Sequence, residues 1–261
     1  MKKLPSKKMQ TEPISFRSYR LANASERNWD SFRHSAPRAY NDLKRQLFQE
    51  QGELCAYCEE YVPENQRRIE HFHPKSDTAS SHNWTLDWRN MLGVCMGGER
   101  DKYYPRPVNL SCDSYKNHLI VSGKLSEQCD YDLVNPYNLR SGVNLFCFNP
   151  VTGEITPNEA VCKSIPTLIN GQTKPTLDLV RDTICILNLN CARLKDKRKK
   201  INQELQRWLS TQRQNHYSAS QAKRKLAKHW FSKKWPNFFT TKRCLLAHYA
   251  EEFLQNSNYN G

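Results

Sequence analysis

The chain has 261 residues, of which 38% are hydrophobic, and carries a formal net charge of +14 at pH 7. This length suits one large domain or two small ones, and the hydrophobic content excludes a disordered chain, while no apolar run approaches the about 20 residues that span a membrane. The first residues are charged without an apolar stretch behind them, so we expect a cytoplasmic protein with no signal peptide and no membrane partner.

The part of the chain before the first cysteine predicts an arm followed by a helix. Residues 1–35 are polar and show no clear hydrophobic period, which predicts an extended arm with short structured pieces. Residues 37–51 predict an amphipathic helix, because their apolar side chains share one face and Gly52 stands at the C-cap position.

Short strands and turns are predicted in the middle of the chain. Residues 53–62 predict a turn-forming hairpin that holds a Cys-x-x-Cys motif, and residues 67–72 predict a strand ended by Pro74. Residues 95–112 are rich in Gly, Pro and Tyr, which is typical of an inserted loop. Residues 144–157 predict a β-hairpin around a Thr-Gly turn.

The C-terminal part is predicted to be helical and carries the positive charge. Apolar residues recur at three- and four-residue steps from residue 176, and a final helix is expected near residues 241–255. Residues 191–248 contain 16 Lys or Arg and two acidic residues, which accounts for the whole net charge of the chain. Such a basic segment suits a polyanion such as nucleic acid, although a solvated helical face is the alternative.

Four of the ten cysteines have the spacing of metal ligands. Cys55 and Cys58 form a Cys-x-x-Cys motif, and Cys95 and Cys112 can supply a second pair for one tetrahedral zinc ion. The alternative is that they are buried thiols. A thioredoxin-type redox site is disfavoured, because no βαβ pattern surrounds the motif, and the other cysteines are scattered as small core residues.

An acid stands beside an imidazole in the predicted strand, at Glu70 and His71. In a regular strand these side chains point to opposite faces, but a turn or bulge before Pro74 could bring both to one metal ion. A divalent ion would polarise a scissile phosphate while a neutral histidine takes a proton from water. The alternative is a structural pair.

The order of these motifs is that of a known enzyme family. A Cys-x-x-Cys motif, then Glu-His-x-x-Pro-Lys-Ser, Trp-x-Asn, Cys and Cys-Asp-x-x-Lys resembles the zinc-containing branch of the HNH, or ββα-metal, endonucleases. The segments CAYCE, IEHFHPKS and CDSYK, with a Cys-x-Gly-Gly insert, resemble the PtuB-like nuclease subunits of Septu-type antiphage systems, including retron-associated ones. The resemblance covers roughly residues 40–210.

The resemblance implies a role for each matching residue. His71 resembles the general base, while Glu70 and Asp113 stand at the positions that bind the catalytic divalent ion, Mg²⁺ or Mn²⁺. Asn90 resembles the residue that orients the loop through backbone hydrogen bonds, and Lys116 resembles a terminal lysine that touches phosphate. These residues would form the catalytic site.

The resemblance also implies that Cys55, Cys58, Cys95 and Cys112 bind a structural zinc ion. Two departures from the family pattern stand out: 16 residues separate Cys95 from Cys112 instead of two, and Asp113 replaces the usual Asn. His73 is a further candidate to line the site, with a surface or packing role as its alternative.

We therefore expect an α+β protein in three segments: an N-terminal arm and helix (1–49), a ββα-metal nuclease core with structural zinc (50–125), and a mostly helical basic region (126–261). The basic residues expected to contact nucleic acid, in addition to Lys116, are Lys197, Arg198, Lys199, Lys200, Lys223, Arg224 and Lys225. The substrate would be DNA or an RNA such as tRNA.

The resemblance implies partners as well as an activity. Septu-type relatives work with an ABC- or SMC-type ATPase, so a PtuA-like ATPase and a retron component are among the expected partners. The alternative function is a non-catalytic, zinc-stabilised module that binds nucleic acid or docks on a protein partner. That alternative explains the cysteines and the charge equally well, but it leaves Glu70, His71 and Asp113 without a role.

Overall fold

Helices on both sides of a small central sheet make this an α+β chain. The computed structural model describes residues 1–5, 12–79, 81–167, 174–232 and 235–259. Three helices precede the first strand: α1 (Ile14–Ala22), α2 (Trp29–Ser35) and α3 (Pro37–Glu50). The middle of the chain contains β1 (Arg67–His71), β2 (Met91–Cys95), α4 (Cys112–Val121), β3 (Phe146–Phe148), β4 (Ile155–Pro157) and α5 (Glu159–Ser164).

The C-terminal part is helical, as predicted. It consists of α6 (Thr176–Ile186), α7 (Ala192–Gln214), α8 (Ala219–Phe231), α9 (Phe239–Leu246) and α10 (His248–Asn256). The single final helix predicted near residues 241–255 is wrong, because the backbone breaks at Ala247, where φ is 48° and ψ is −127°. No described helix is both long and apolar enough to cross a bilayer.

The N-terminal segment is more ordered than the predicted extended arm. Phe16 of α1 and Phe32 of α2 are fully buried and pack together with Leu43 and Leu47 of α3. The side chain of Asn28 caps α2 by accepting hydrogen bonds from two backbone N–H groups of its first turn. The short structured pieces predicted for the arm are therefore two helices, and their packing on α3 shows that the arm is not extended over residues 12–35. Residues 6–11 lie outside the described part of the chain.

The strands that frame the site form an antiparallel pair. β1 pairs with β2 in a regular register that runs from Arg67 opposite Cys95 to His71 opposite Met91. Helix α4 packs against β2, and α3 packs on the same strand. Gly93 permits the close approach of α3, because a Cβ atom there would lie 2.9 Å from the ring of Phe48. A second antiparallel pair, β3 with β4, forms the predicted hairpin.

The main apolar cluster surrounds the cysteines and continues into the C-terminal half. It includes Cys55, Val94, Phe146, Val180 and Leu194, and so joins residues on both sides of position 125. A separate cluster lies between α7, α8, α9 and α10. The four predicted zinc ligands therefore sit inside the largest packed region rather than on a surface knuckle.

Candidate active site and metal centre

Four thiols converge from three separate elements. Cys55 and Cys58 lie in the turn after α3, Cys95 ends β2 and Cys112 begins α4. The Sγ atoms of Cys55 and Cys112 are 3.8 Å apart, those of Cys58 and Cys95 are 3.7 Å apart, and those of Cys95 and Cys112 are 3.8 Å apart. All four sulfur atoms lie within 4.8 Å of one another and all four residues are buried.

These separations fit one tetrahedral metal ion. A zinc–sulfur bond of about 2.3 Å in tetrahedral geometry places sulfur atoms about 3.8 Å apart, whereas a disulfide would place them about 2.05 Å apart. The donor set therefore suits a thiolate-bound metal such as zinc. Cys95 belongs to the cluster although 16 residues separate it from Cys112.

The loop between the second pair of cysteines is closed at its base. The backbone N–H of Gly97 donates to Sγ of Cys95 at 3.3 Å, and the N–H of Ser111 donates to the Gly97 carbonyl at 2.9 Å. Gly97 has a φ of +56°, and a Cβ atom there would lie 2.1 Å from the Ser111 carbonyl oxygen. Only glycine fits this close approach, so the loop leaves and returns at the metal centre.

Two carboxyl groups and an ammonium group meet where β1 faces α4. The Nζ of Lys116 bonds to the carboxylate of Glu70 and lies 3.8 Å from Oδ1 of Asp113. Burial and the neighbouring charge of Asp113 raise the pKa of Glu70, although the ammonium group of Lys116 opposes this shift. Burial alone would lower the pKa of Lys116, but Glu70 and Asp113 raise it above its ordinary value.

His71 lies on the opposite face of β1 from Glu70. Its Nε2 is 3.0 Å from the carbonyl oxygen of Thr85, and its ring packs edge-on against Trp29 with centroids 4.5 Å apart. Burial lowers the pKa of His71 to about 4, so its imidazole is neutral at physiological pH. Since a carbonyl oxygen only accepts, Nε2 carries the proton and Nδ1 keeps a free lone pair.

β1 ends at His71 and its regular pairing runs through both Glu70 and His71, so no turn or bulge before Pro74 brings the two side chains to one face. Across the described part of the chain, the cysteine cluster is the only set of three or more His, Cys, Asp or Glu residues close enough to share an ion. Glu70, Asp113 and Lys116 are thus brought together, while His71 stands on the other side of the strand.

Asn90 fastens the segment between the two strands. Its Oδ1 accepts from the backbone N–H of His73 at 2.7 Å, and its Nδ2 donates to the carbonyls of His73 at 2.9 Å and Trp84 at 3.2 Å. These three bonds tie the start of the segment to its end. They hold the strand end that carries His71.

His73 joins two carboxylates rather than facing Glu70. Its Nε2 lies 2.8 Å from Asp77 and its Nδ1 lies 3.0 Å from Asp130, while its ring packs on Trp84 with centroids 4.1 Å apart. Burial alone would lower the pKa of His73, but the hydrogen bonds and charges of Asp130 and Asp77 raise it. The ring therefore bridges the loop after β1 and residue 130.

Two of the basic residues expected to contact phosphate are buried. Arg198 is 2% exposed and donates to the Leu189 carbonyl at 2.7 Å, and Lys116 is 8% exposed and paired with Glu70. A buried guanidinium or ammonium cannot reach a phosphate on the surface. In this arrangement the cation of Arg198 is therefore turned inward, and Lys116 would have to leave Glu70 to contact a phosphate, so both contacts stay predictions.

The other basic residues predicted to contact nucleic acid differ in whether they already have an acidic or aromatic partner. Lys197 pairs with Glu60, and Lys199 pairs with Asp196 at 2.7 Å, whereas Lys200 is exposed. On α8, Arg224 lies 3.4 Å from Glu252, and Lys225 lies over the ring of Tyr217. The ammonium group of Lys223 is close to the ring of Tyr249. Two more lysines of the basic segment, at positions 233 and 234, lie outside the described residues.

Two residues of the site escaped sequence reasoning. Arg193 was counted among the basic residues of the C-terminal segment, yet its guanidinium is buried and donates to Glu60 at 2.5 Å and to Ser111 at 2.7 Å. Tyr57 stands inside the Cys-x-x-Cys motif, and its buried hydroxyl has no hydrogen-bond partner among the described residues. Burial and then the charges of Glu70 and Asp113 raise the pKa of Tyr57 well above its ordinary value.

Comparison with known proteins adds one relative. No protein-family model matches the chain. The chain is 40% identical over 182 residues to a protein of Escherichia coli described as "Retron Ec83 putative HNH endonuclease". The aligned region covers 66% of this chain and 69% of that protein.

Proposed function

The chain belongs to the HNH endonuclease family, and we propose that it hydrolyses phosphodiester bonds of DNA or RNA in a metal-dependent reaction. The observation that carries this proposal is the meeting of the carboxyl groups of Glu70 and Asp113. Asp113 directly follows Cys112, one of the four clustered cysteines. Two carboxylates held close together repel each other unless a cation lies between them. In this structure the ammonium group of Lys116 supplies that charge.

A divalent ion would bind at Glu70 and Asp113. Carboxylate oxygens are the ligands that Mg²⁺ and Mn²⁺ prefer, and Asp113 is an oxygen donor in place of the usual Asn. When bound, such an ion polarises the scissile phosphate and stabilises the departing oxygen. Lys116 would then shift from Glu70 toward the phosphate, which reconciles its burial here with its expected role.

His71 would act as the general base. Its neutral imidazole takes a proton from water, and the hydrogen bond to Thr85 leaves Nδ1 as the accepting atom. The water oxygen attacks phosphorus, the bond from phosphorus to the leaving oxygen breaks, and that oxygen takes up a proton. Asn90 would serve as a positioning residue, because it fixes the segment that follows His71.

The four-cysteine cluster would hold zinc for structure and not for catalysis. Four thiolates complete a tetrahedral ion and leave no open position for water or substrate. The cluster joins the turn after α3, the end of β2 and the start of α4, and so fixes the helix that carries Asp113. We propose that these elements form the ββα-metal core within residues 50–125, preceded by the arm and helix of residues 1–49.

The basic C-terminal region, residues 126–261, would supply affinity for the polynucleotide. Lys200 and the α8 residues Lys223, Arg224 and Lys225 remain as candidates, with Lys197 and Lys199 paired to acidic residues. Contacts with phosphate fix position without reading sequence. DNA and RNA, including tRNA, are both substrates that such a surface accommodates.

A role in antiphage defence is the finer part of the proposal. It is supported by the resemblance to PtuB-like subunits of Septu-type systems and by a relative whose description includes a retron. The chain would be the nuclease effector, and a PtuA-like ATPase of the ABC or SMC type would direct it or restrain it. A retron component would be a further partner.

The test is a cleavage assay with the full chain on single- and double-stranded DNA and RNA, with and without the suspected ATPase. Cleavage should require Mg²⁺ or Mn²⁺ and should stop when a chelator removes them, while the thiolate-bound zinc stays in place. Binding of polynucleotide without cleavage under every condition would establish the alternative, a zinc-stabilised binding module. Activity that persists without a divalent ion would contradict the proposed chemistry.

A further inference from the structure

The loop between Cys95 and Cys112, residues 96–111 (the inter-cysteine loop), presents an aromatic side chain to solvent. Tyr103 is 93% exposed, and across the described residues no other large apolar side chain is as exposed. Arg100, Lys102 and Arg106 around it are exposed as well. An aromatic ring exposed among three cations is available to a ligand that has both an aromatic face and negative charge.

Side chains of the α6–α7 region anchor the inter-cysteine loop from outside. Nδ2 of Asn188 donates to the carbonyls of Val108 at 2.9 Å and Leu110 at 2.8 Å. The hydroxyl of Tyr104, the neighbour of Tyr103, donates to Asp196 of α7 at 2.8 Å. These bonds tie the loop to the rest of the fold next to Tyr103 and again at Val108 and Leu110.

The base of the loop lies beside the carboxyl groups of the proposed active site. Glu99 accepts from Arg68 of β1 at 2.5 Å and from Ser114 of α4 at 2.8 Å. Arg68 shares a strand face with Glu70, and Ser114 follows Asp113. Four residues of chain span at most about 14 Å, so Tyr103 stands within that distance of Glu99.

The charges at the tip of the loop favour an anion. Arg100 donates to the Asn65 carbonyl at 3.4 Å and Arg106 donates to the Glu99 carbonyl at 2.9 Å, so both guanidinium groups keep their positive charge. The carboxylate of Glu99 is already neutralised by Arg68. Asp101, which accepts from the backbone N–H of Tyr103 at 2.9 Å, keeps its negative charge, but Arg100, Lys102 and Arg106 outnumber it at the tip.

We propose that Tyr103 stacks on an unpaired base of the polynucleotide, within a few nucleotides of the bond that is cut, while Arg100, Lys102 and Arg106 contact the flanking phosphates. This inference rests on the proposed nuclease function and deepens it. Aromatic stacking accepts any base but needs an exposed face, which a base in an intact duplex lacks. The substrate class is therefore a polynucleotide with unpaired nucleotides beside the scissile bond.

The test compares Tyr103→Ala, Tyr103→Trp and the control Tyr131→Ala, which alters a tyrosine that is 61% exposed elsewhere on the chain. The probes are a fluorescein-labelled oligothymidine and a blunt duplex of the same length, in a buffer that chelates Mg²⁺. Tyr103→Ala should weaken oligothymidine binding by about 5- to 150-fold, the range expected for one stacked base. Tyr103→Trp and Tyr131→Ala should bind like the unaltered chain, and duplex binding should not change.

The outcomes separate this inference from the proposed function. If the unaltered chain binds and cleaves polynucleotide but Tyr103→Ala binds oligothymidine equally well, only the stacking role of Tyr103 is refuted. If Tyr103→Ala weakened binding of oligothymidine and of the duplex equally, stacking would also be refuted. Stacking would be refuted as well if Tyr103→Ala bound polynucleotide normally but no longer associated with an ATPase partner. If the unaltered chain neither binds nor cleaves any polynucleotide, the proposed nuclease function itself fails.

Discussion

The ring of His71 donates its Nε2 proton to the carbonyl oxygen of Thr85 at 3.0 Å, and this bond fixes which nitrogen is free to accept. Replacement His71→Ala should therefore remove the proton acceptor and lower the cleavage rate by about 10²- to 10⁴-fold. Zinc content and polynucleotide binding should stay the same, because His71 contacts neither the cysteine cluster nor the exposed cations. Single-turnover cleavage, elemental analysis and a binding titration measure the three quantities.

The control for this change is His82→Ala. His82 is half exposed and pairs with Asp87, on the same segment between the strands but away from β1. The His82→Ala chain should cleave at the same rate as the unaltered chain. Normal cleavage by a folded His71→Ala chain would eliminate His71 as the general base.

His73 should make stability depend on pH. Its pKa is raised by Asp130 and Asp77, so the protonated ring is favoured in the folded chain. Its stabilising contribution is fully present below the unfolded pKa of about 6.5 and is lost as the pH rises through the folded pKa. His73→Gln should therefore cost more stability at mildly acidic pH than at alkaline pH, as measured by urea unfolding. An equal cost at both pH values would show that the bridge carries no charge.

Zinc should be bound at about one ion per chain and should be required for folding. Cys58→Ser removes one thiolate from the buried cluster and should give an aggregated, zinc-poor chain. Cys162→Ser is the matched control, since Cys162 is also buried but lies outside the cluster. It should keep its zinc and remain soluble. Elemental analysis decides the matter, and a folded Cys58→Ser chain without metal would contradict a structural role.

The α8 cations should contribute affinity that depends on salt. Replacing Lys223, Arg224 and Lys225 with Gln should weaken binding and flatten its dependence on salt, by about 0.9 in log–log slope for each duplex phosphate that the chain no longer neutralises. The control replaces Arg33, Arg38 and Arg45, which are exposed on the N-terminal helices. Filter binding at several salt concentrations measures the slope. An unchanged slope would show that the polyanion does not contact these residues of α8.

The buried pair of Arg193 and Glu60 should stabilise the fold. Arg193→Gln leaves the Glu60 carboxylate without its buried partner and should cost about 3–5 kcal/mol of unfolding free energy. Lys197→Gln removes the other, half-exposed partner of Glu60 and should cost much less. Urea unfolding compares the two. Equal costs would mean that Arg193 acts only as a surface charge.

The sequence pointed to Cys55 and Cys58 because the spacing of a Cys-x-x-Cys motif is a local property. That Cys95 and Cys112 meet them depends on the fold. The Cys-x-x-Cys turn, the strand that carries Glu70 and the helix before Cys55 all depend on near neighbours in the chain. The alternation of a regular strand already placed Glu70 and His71 on opposite faces, but which of the two faces meets α4 is decided by tertiary packing and could not be read from the sequence. No glycine or proline stands at the break between α9 and α10, so the sequence around Ala247 did not indicate where one helix ends and the next begins.

The inward position of Arg198 has a more specific cause. Arg198 lies four residues after Leu194 and three before Ile201, and both are buried, so the helical period places it on the inner stripe of α7. A count of the charged residues in a segment does not show which of them face the interior of the helix packing. The buried and exposed faces of a long basic helix have to be distinguished before its cations are assigned to a ligand. Cations on the exposed face can also be paired with acidic residues, as Lys197 and Lys199 are.

Closure of the inter-cysteine loop at the metal centre has a consequence for how such chains can diversify. Because Cys95 and Cys112 meet at one cluster and Gly97 bonds to Ser111, the ends of the loop are fixed whatever lies between them. Doubling the length of a closed flexible loop adds only about 0.6 kcal/mol of entropic cost. Insertions at the exposed tip of the loop, between its anchored residues, should therefore cost little folding free energy, so natural variation can lengthen the tip while the chemical core stays the same.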